Sequence, residues 1–322
     1  MKILITGVAG FIGFSLASSL LKSDKKIEIY GLDNFDNYYS KKIKKFRILD
    51  LKSSDRFKFL KVDICNRNLL IKKLKGIKFT YVIHLAAQAG VRFSAVDPKK
   101  YVNTNIFGFI NLLDASISCR PKKILYASSS SVYGDTKKLP SKEHHQLFPK
   151  NIYASSKKIN EIIANFYSKY YQLNIIGLRF FTVYGEWGRP DMFLFKLFKS
   201  FLLKKVFYLN NAGNHMRDFT YIKDAVNITK KILFSKKKTY HNVFNVCSNK
   251  PIKITKIINF FQTKYGDVKV KKVLRNKLDV KNTHGNNILV KKFTSFSKFT
   301  DYKSGIINSF EWYKNYKINK IK

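Results

Sequence analysis

The first thirteen residues, MKILITGVAGFIG, narrow the choice of fold more than any other stretch of the chain. Lys2 to Thr6 is a short apolar run that ends at Gly7, and Gly10 and Gly13 follow while Phe11 to Lys22 takes up helical spacing. A strand entering a helix through glycines is a device for binding phosphate. Glycine lets the backbone turn tightly and approach a pyrophosphate closely, and the charge then sits at the N-terminus of the helix. The run Ile3 to Leu21 is uncharged and follows a lysine, which superficially suits a signal peptide or a membrane span. Three regularly spaced glycines would weaken a spanning helix and break an apolar signal core, so the pattern predicts strand, turn and helix. Asp33 ends the next apolar run, about 20 residues after the last glycine, where a carboxylate accepts a hydrogen bond from an adenosine ribose 2′-hydroxyl. It would repel a 2′-phosphate, so these residues favour NAD over NADP.

Alternation continues downstream. Ile27 to Leu32, Phe57 to Val62, Tyr81 to His84, Lys123 to Ala127 and Asn174 to Leu178 read as strands. Arg67 to Lys75, Tyr101 to Ser118 and Tyr153 to Tyr171 read as helices between them. Continuous apolar strands alternating with helices predict an α/β fold, a Rossmann-type doubly wound parallel sheet covered on both faces. After about Arg179 the pattern turns to loops with Gly, Pro and Trp, short helices and isolated strands. We therefore expect a dinucleotide-binding domain over 1–179 and a smaller α/β substrate domain over 180–322, with a strand near 242–247 returning to the first sheet. A final helix is expected around Ser304 to Tyr316, after a polar patch from Arg275 to Asn287.

Charge is the most unusual bulk property. Lys and Arg number 62 against 20 Asp and Glu, a net charge of +42 over 322 residues, which by itself would suggest nucleic acid or an anionic surface. The lysines are scattered through every segment, so no specific nucleic-acid surface is expected, only residual attraction to polyanions at low salt. Nothing after the N-terminus approaches about 18 uncharged apolar residues, so membrane insertion is not expected. Cys65, Cys119 and Cys247 are far apart and odd in number, which fits a reducing cytoplasm rather than a disulfide framework. No cluster has metal-ligand spacing, so no metal is expected.

The second constellation is NIYASSKKINE, in which Tyr153 and Lys157 are four residues apart and share a helix face. A tyrosine titrates near pH 10, and a neighbouring ammonium favours its phenolate, which makes it a general base near neutral pH. Upstream, YASSSSVYG carries four serines at 128 to 131 between a strand and a turn.

Glycine turn, serine cluster and Tyr-Lys pair, in this order, resemble the extended short-chain dehydrogenase/reductase family of nucleotide-sugar epimerases and dehydratases. HLAAQAGVR (84 to 92), YASSSSVYG (126 to 134), LRFFTVYGEWGRPDM (178 to 192), MRDFTYIKDA (216 to 225) and FEWYKNY (310 to 316) are similar to the UDP-glucuronate 4-epimerase branch. The resemblance implies a bound NAD, a UDP-sugar substrate and a homodimer packed through the helices that start near Tyr101 and Tyr153. It matches Gly7, Gly10, Phe11, Ile12 and Gly13 to the pyrophosphate loop, Asp33 and Asn34 to the ribose contact, and Asp63 and Ile64 to the adenine edge. Leu85, Ala86 and Ala87 match the loop under the cofactor, and Asn103 the support of the nicotinamide side. Ser129 matches the hydroxyl on the sugar O4, Tyr153 the base, and Lys157 the residue that binds the nicotinamide ribose and lowers the tyrosine pKa. Ser130 and Ser131 flank the sugar, Thr182 and Arg189 match sugar and carboxylate contacts, Arg217 grips the UDP diphosphate, and Arg92 lies near the sugar. The stretch KLDVKNTHGN departs from the family: Asp279 survives, and Arg275 is a displaced counterpart of an expected arginine.

Those residues also discriminate between reactions. A 4,6-dehydratase of this family places an Asp-Glu pair just before the VYG turn, and a decarboxylating relative a glutamate. Here the positions hold Ser130 and Ser131. The resemblance therefore implies 4-epimerisation, with UDP-glucuronate and UDP-galacturonate as the pair. The alternatives are another UDP-sugar (UDP-N-acetylglucosamine, its uronic acid or UDP-glucose), or a non-catalytic basic protein that binds polyanions.

Overall fold

The computed structural model describes residues 1–237 and 240–320. Counting in chain order, seven parallel strands form the main sheet: β1 (Lys2–Thr6), β2 (Glu28–Asp33), β3 (Phe57–Lys61), β4 (Tyr81–His84), β5 (Lys123–Ser129), β6 (Ile175–Phe180) and β10 (His241–Val246). Their spatial order is β10-β6-β5-β4-β1-β2-β3. The order reverses at β1, which pairs with β2 on one side and β4 on the other. A doubly wound sheet opens a crevice at such a switch, at the carboxyl ends of the strands. A second sheet is formed by β7 (Thr182–Tyr184), β9 (Met216–Tyr221) and β11 (Pro251–Lys253), and a two-stranded one by β8 (Phe207–Asn210) and β12 (Val270–Val273).

The helices are α1 (Phe11–Ser23), α2 (Lys41–Leu51), α3 (Arg67–Leu74), α4 (Pro98–Tyr101), α5 (Gly108–Ile117), α6 (Ile152–Tyr170), α7 (Phe193–Leu202), α8 (Ile222–Phe234), α9 (Ile254–Tyr265), α10 (Ile288–Thr294) and α11 (Tyr302–Lys320). Side chains alternate across a strand, and β1 shows the result: Ile3 and Ile5 enter one apolar layer, Leu4 the other. The first layer holds Phe14 and Leu20 of α1 and Ile228 and Ile232 of α8. The second holds Leu70 of α3, Leu112 of α5 and Ala164 of α6. Both faces are covered, as continuous apolar strands require.

Two elements depart from the expected pattern. Helix α2 was not visible in the sequence, because KKIKKFRILDL turns Lys44 and Arg47 into the protein beside Ile43, Ile48 and Leu51. Cations on the buried face break the apolar period by which a helix is read. The helix expected over Tyr101 to Ser118 is interrupted by a π-helical stretch, Val102–Phe107, between α4 and α5.

Candidate active site

Gly7 begins the site. Its φ is +70°, and a Cβ there would stand 2.6 Å from the Ala86 nitrogen, so only glycine allows the loop to pass the end of β4. Gly7 N–H donates to Leu32 O at 2.7 Å, and Gly10 N–H to Gly7 O at 2.9 Å. Helix α1 then starts with Gly10 as an N-cap that has no side-chain oxygen, and its first turn holds no acidic residue. The free N–H groups and the positive end of the helix are left for an anion.

These groups open onto a cavity of about 260 Å³. Its lining includes the expected Gly7, Gly10, Phe11, Ile12, Gly13, Asp33, Asn34, Ile64, Leu85, Ala86, Ala87, Ser129, Tyr153, Lys157 and Arg189. Asp33 accepts from Ala9 N at 3.0 Å and Phe35 N at 2.8 Å. Burial raises its pKa, against those two bonds and the charges of Lys44 and Arg47. Asp63 stands one step back, accepting from Asn34 Nδ2 at 2.9 Å. These residues fit a dinucleotide: bare amides for a pyrophosphate, a carboxylate for ribose hydroxyls, and small side chains beneath.

The reactive end lies at the tip of β5. Ser129 is buried, its Oγ accepts from Ser131 N at 3.2 Å, and it lines the cavity together with Tyr153. Asn151 caps α6, accepting from Ala154 N at 2.9 Å, which sets Tyr153 in the first turn beside Ser129. Lys157, 2% exposed, donates to Ala127 O at 2.8 Å, and burial pulls its pKa down to about 8. Burial pushes the Tyr153 phenol up, while the Ser129 hydroxyl and the Arg189 charge pull it down.

Arg189 meets Asp191 through Nε at 3.0 Å and Nη2 at 2.6 Å, and Tyr38 OH donates to the same carboxylate at 3.2 Å. Thr182 faces elsewhere. On β7 its neighbour Val183 lines the main cavity, whereas Thr182 and Tyr184 line a smaller one of about 30 Å³ that meets the first at Met192. Ser130 and Ser131 lie in a 3₁₀ turn (Ser130–Tyr133), half-buried and outside the lining.

A model of the NAD dependent epimerase/dehydratase family matches residues 3–247. The chain belongs to that family. It is similar to UDP-glucuronate 4-epimerase 4 of Arabidopsis thaliana, 38% identical over 98% of this chain and 76% of that protein. Protein CapI of Staphylococcus aureus is 36% identical, covering 98% and 99% of the two chains. UDP-glucuronic acid 4-epimerase from Bacillus cereus, solved with UDP-glucuronic acid and NAD, matches at a TM-score of 0.93 and 31% identity over 98% of this chain and 99% of that one.

Within this family member, Asn103 is exposed, and its neighbour Thr104 lines the cavity. Both residues lie in the π-helical stretch Val102–Phe107. Arg92, Arg217 and Arg275 lie outside the main cavity lining and converge on the departing stretch. Arg92 meets the Asp279 carboxylate at 2.7 Å, Arg275 donates to Asp279 O and Asp135 Oδ2, both at 2.9 Å, and Arg217 donates to Val280 O at 2.6 Å. Burial and the Arg275 charge draw the Arg217 pKa down to about 10, against Asp279.

Sequence reading missed Tyr38, Lys44, Gln88, Thr104 and Met192 in the cavity lining. For Tyr38 a signal existed, since it follows Asp33 in the loop where a ribose contact was expected. Among the described residues no group of three or more His, Cys, Asp or Glu could hold a metal ion, and no helix is long and apolar enough to cross a membrane.

Proposed function

We propose that the protein is an NAD-dependent UDP-sugar 4-epimerase that interconverts UDP-glucuronate and UDP-galacturonate. One observation carries the reading: Ser129, Tyr153 and Lys157 share a cavity with the glycine turn at one end and Arg189 beside them. When bound, NAD would supply a hydride acceptor and donor for the sugar C4, and its oxidised ring a positive charge that favours a phenolate. Tyr153 takes the O4 proton and later returns it, with Ser129 holding the phenol and the sugar oxygen in one hydrogen-bonded line. The 4-keto sugar formed between these steps turns over before its reduction.

A 4-keto glucuronate is a β-keto acid and loses CO₂ readily. Arg189, with Thr182 at the margin, would hold the C6 carboxylate so that its bond to C5 stays out of line with the carbonyl π system. Ser130 and Ser131 offer no acid/base pair for elimination. Arg217, Arg92 and Arg275 are assigned to the UDP end, with residues 1–179 as the cofactor half and 180–322 as mainly the substrate half. Ile152, Ile159, Ile162, Phe166 and Tyr170 make an exposed apolar face along α6, which supports a homodimer built on that helix. Three free cysteines fit a cytoplasmic enzyme. The test is NMR of the products formed from UDP-glucuronate, UDP-glucose and UDP-N-acetylglucosamine. UDP-galacturonate is expected; UDP-xylose, a 6-deoxy-4-keto sugar, or turnover of uncharged sugars alone would sink the proposal.

A further inference from the structure

From Ser128 in the cavity wall a buried polar chain runs back into the protein, and neither the proton transfer nor the binding contacts proposed above use it. Ser128 Oγ donates to Glu161 Oε1 at 2.6 Å. Arg179 grips the same carboxylate, Nε to Oε1 at 2.8 Å and Nη2 to Oε2 at 2.7 Å. Exposure is 2% for Ser128, 8% for Glu161 and 3% for Arg179. Arg179 Nη1 continues to Tyr133 OH at 2.7 Å, in the turn just after Ser129, and to Glu143 O at 2.9 Å.

The chain joins the parts of the reactive end. Glu161 follows Lys157 by four residues and Tyr153 by eight, so the three share one face of α6. Ser128 is the residue before Ser129, and Arg179 comes from the adjoining strand β6. Removing two charges from water costs several kcal/mol each in general, and a packed apolar pair often does as well for stability. What an apolar pair lacks is direction. A bidentate guanidinium-carboxylate pair fixes strand tip and helix against each other to within a few tenths of an ångström.

We infer that Glu161, held by Arg179 and joined to Ser128, is a positioning residue that sets where the Ser129 hydroxyl stands relative to Tyr153. The inference rests on the 4-epimerase reading of the same site. A Ser129 hydroxyl kept near the phenol favours its charged form, so loosening the chain weakens the base.

The test is Ser128→Ala, which removes one hydroxyl and leaves the ion pair intact, with Glu161→Gln as a second variant. In the NAD-loaded enzyme Ser128→Ala is expected to lower kcat about tenfold, in line with a small misplacement of reacting groups. KM should stay within about twofold, and the pH at which kcat reaches half its maximum should rise. Absorbance at 295 nm, taken as the difference from a Tyr153→Phe partner, reads the Tyr153 titration without turnover and should move the same way. An unchanged titration and kcat in both variants overturns the inference, and so does a loss that only follows the melting temperature. If the wild type fails on UDP-glucuronate while the 295 nm titration still responds to Ser128→Ala, the substrate assignment falls and the positioning role stands.

Discussion

Lys157 is an ionisable group held where its charge is least welcome, and replacing it should make the cofactor-free protein more stable and less active. Burial takes its pKa from the usual lysine value of 10.5 to about 8. At about 1.4 kcal/mol for each pH unit, the charged form therefore costs the folded state about 3 kcal/mol at pH 7. One hydrogen bond, to Ala127 O at 2.8 Å, returns about 1 kcal/mol. Lys157→Met keeps a long apolar side chain and removes the charge, leaving a net gain of about 2 kcal/mol, or about 4 °C in Tm for a chain of this size. The sign with pH follows from the direction of the shift. The unfolded chain binds more protons than the folded one between pH 8 and 10.5, so wild-type stability rises across that window and the advantage of the variant shrinks. Scanning calorimetry of protein stripped of NAD, at pH 7 and again near pH 10, measures both. Turnover should fall by about 10²-fold or more, because the variant loses the cation beside the base. A variant that melts at or below the wild type at pH 7, or keeps a constant advantage up to pH 10, would refute the reasoning.

Two further changes probe the ends of the cavity. Gly13→Ala places a Cβ 2.9 Å from the Gly7 carbonyl carbon and 3.0 Å from Val8 Cα, both backbone, so the start of α1 must move. The expected outcome is about 1–3 kcal/mol of lost stability, with NAD absent from purified protein by its absorbance; full NAD content would contradict the pyrophosphate site. Arg189→Ala strands Asp191, which it holds at 2.6 Å, and should lower kcat/KM for UDP-glucuronate about 10²-fold or release decarboxylated product. NMR showing normal rate and product would remove the carboxylate clamp.

Much of the site was legible because its signals are local. Gly7, Gly10 and Gly13, Asp33, and Tyr153 with Lys157 declare themselves by spacing within one turn or one helix, and a period survives whatever packs against it. Ser128 did not: it is one of four serines in a row, and only the fold shows its bond to Glu161. That Thr104 rather than Asn103 lines the cavity is likewise visible only in the fold, where both lie in a π-helical stretch.

The sequence by itself determined the doubly wound sheet, the glycine turn and the serine, tyrosine and lysine that share the cavity. Tertiary structure decided which cations are partnered. Lys44 and Arg47 enter the protein on α2, Arg179 meets Glu161 from the next strand, and Arg92 and Arg217 reach 279–280 from distant segments, where Arg275 joins them from four residues away. In a chain with 62 Lys and Arg each of these looks like its neighbours. A buried charge is tolerated only where a partner from elsewhere in the chain arrives to meet it, and sequence spacing carries no record of that meeting.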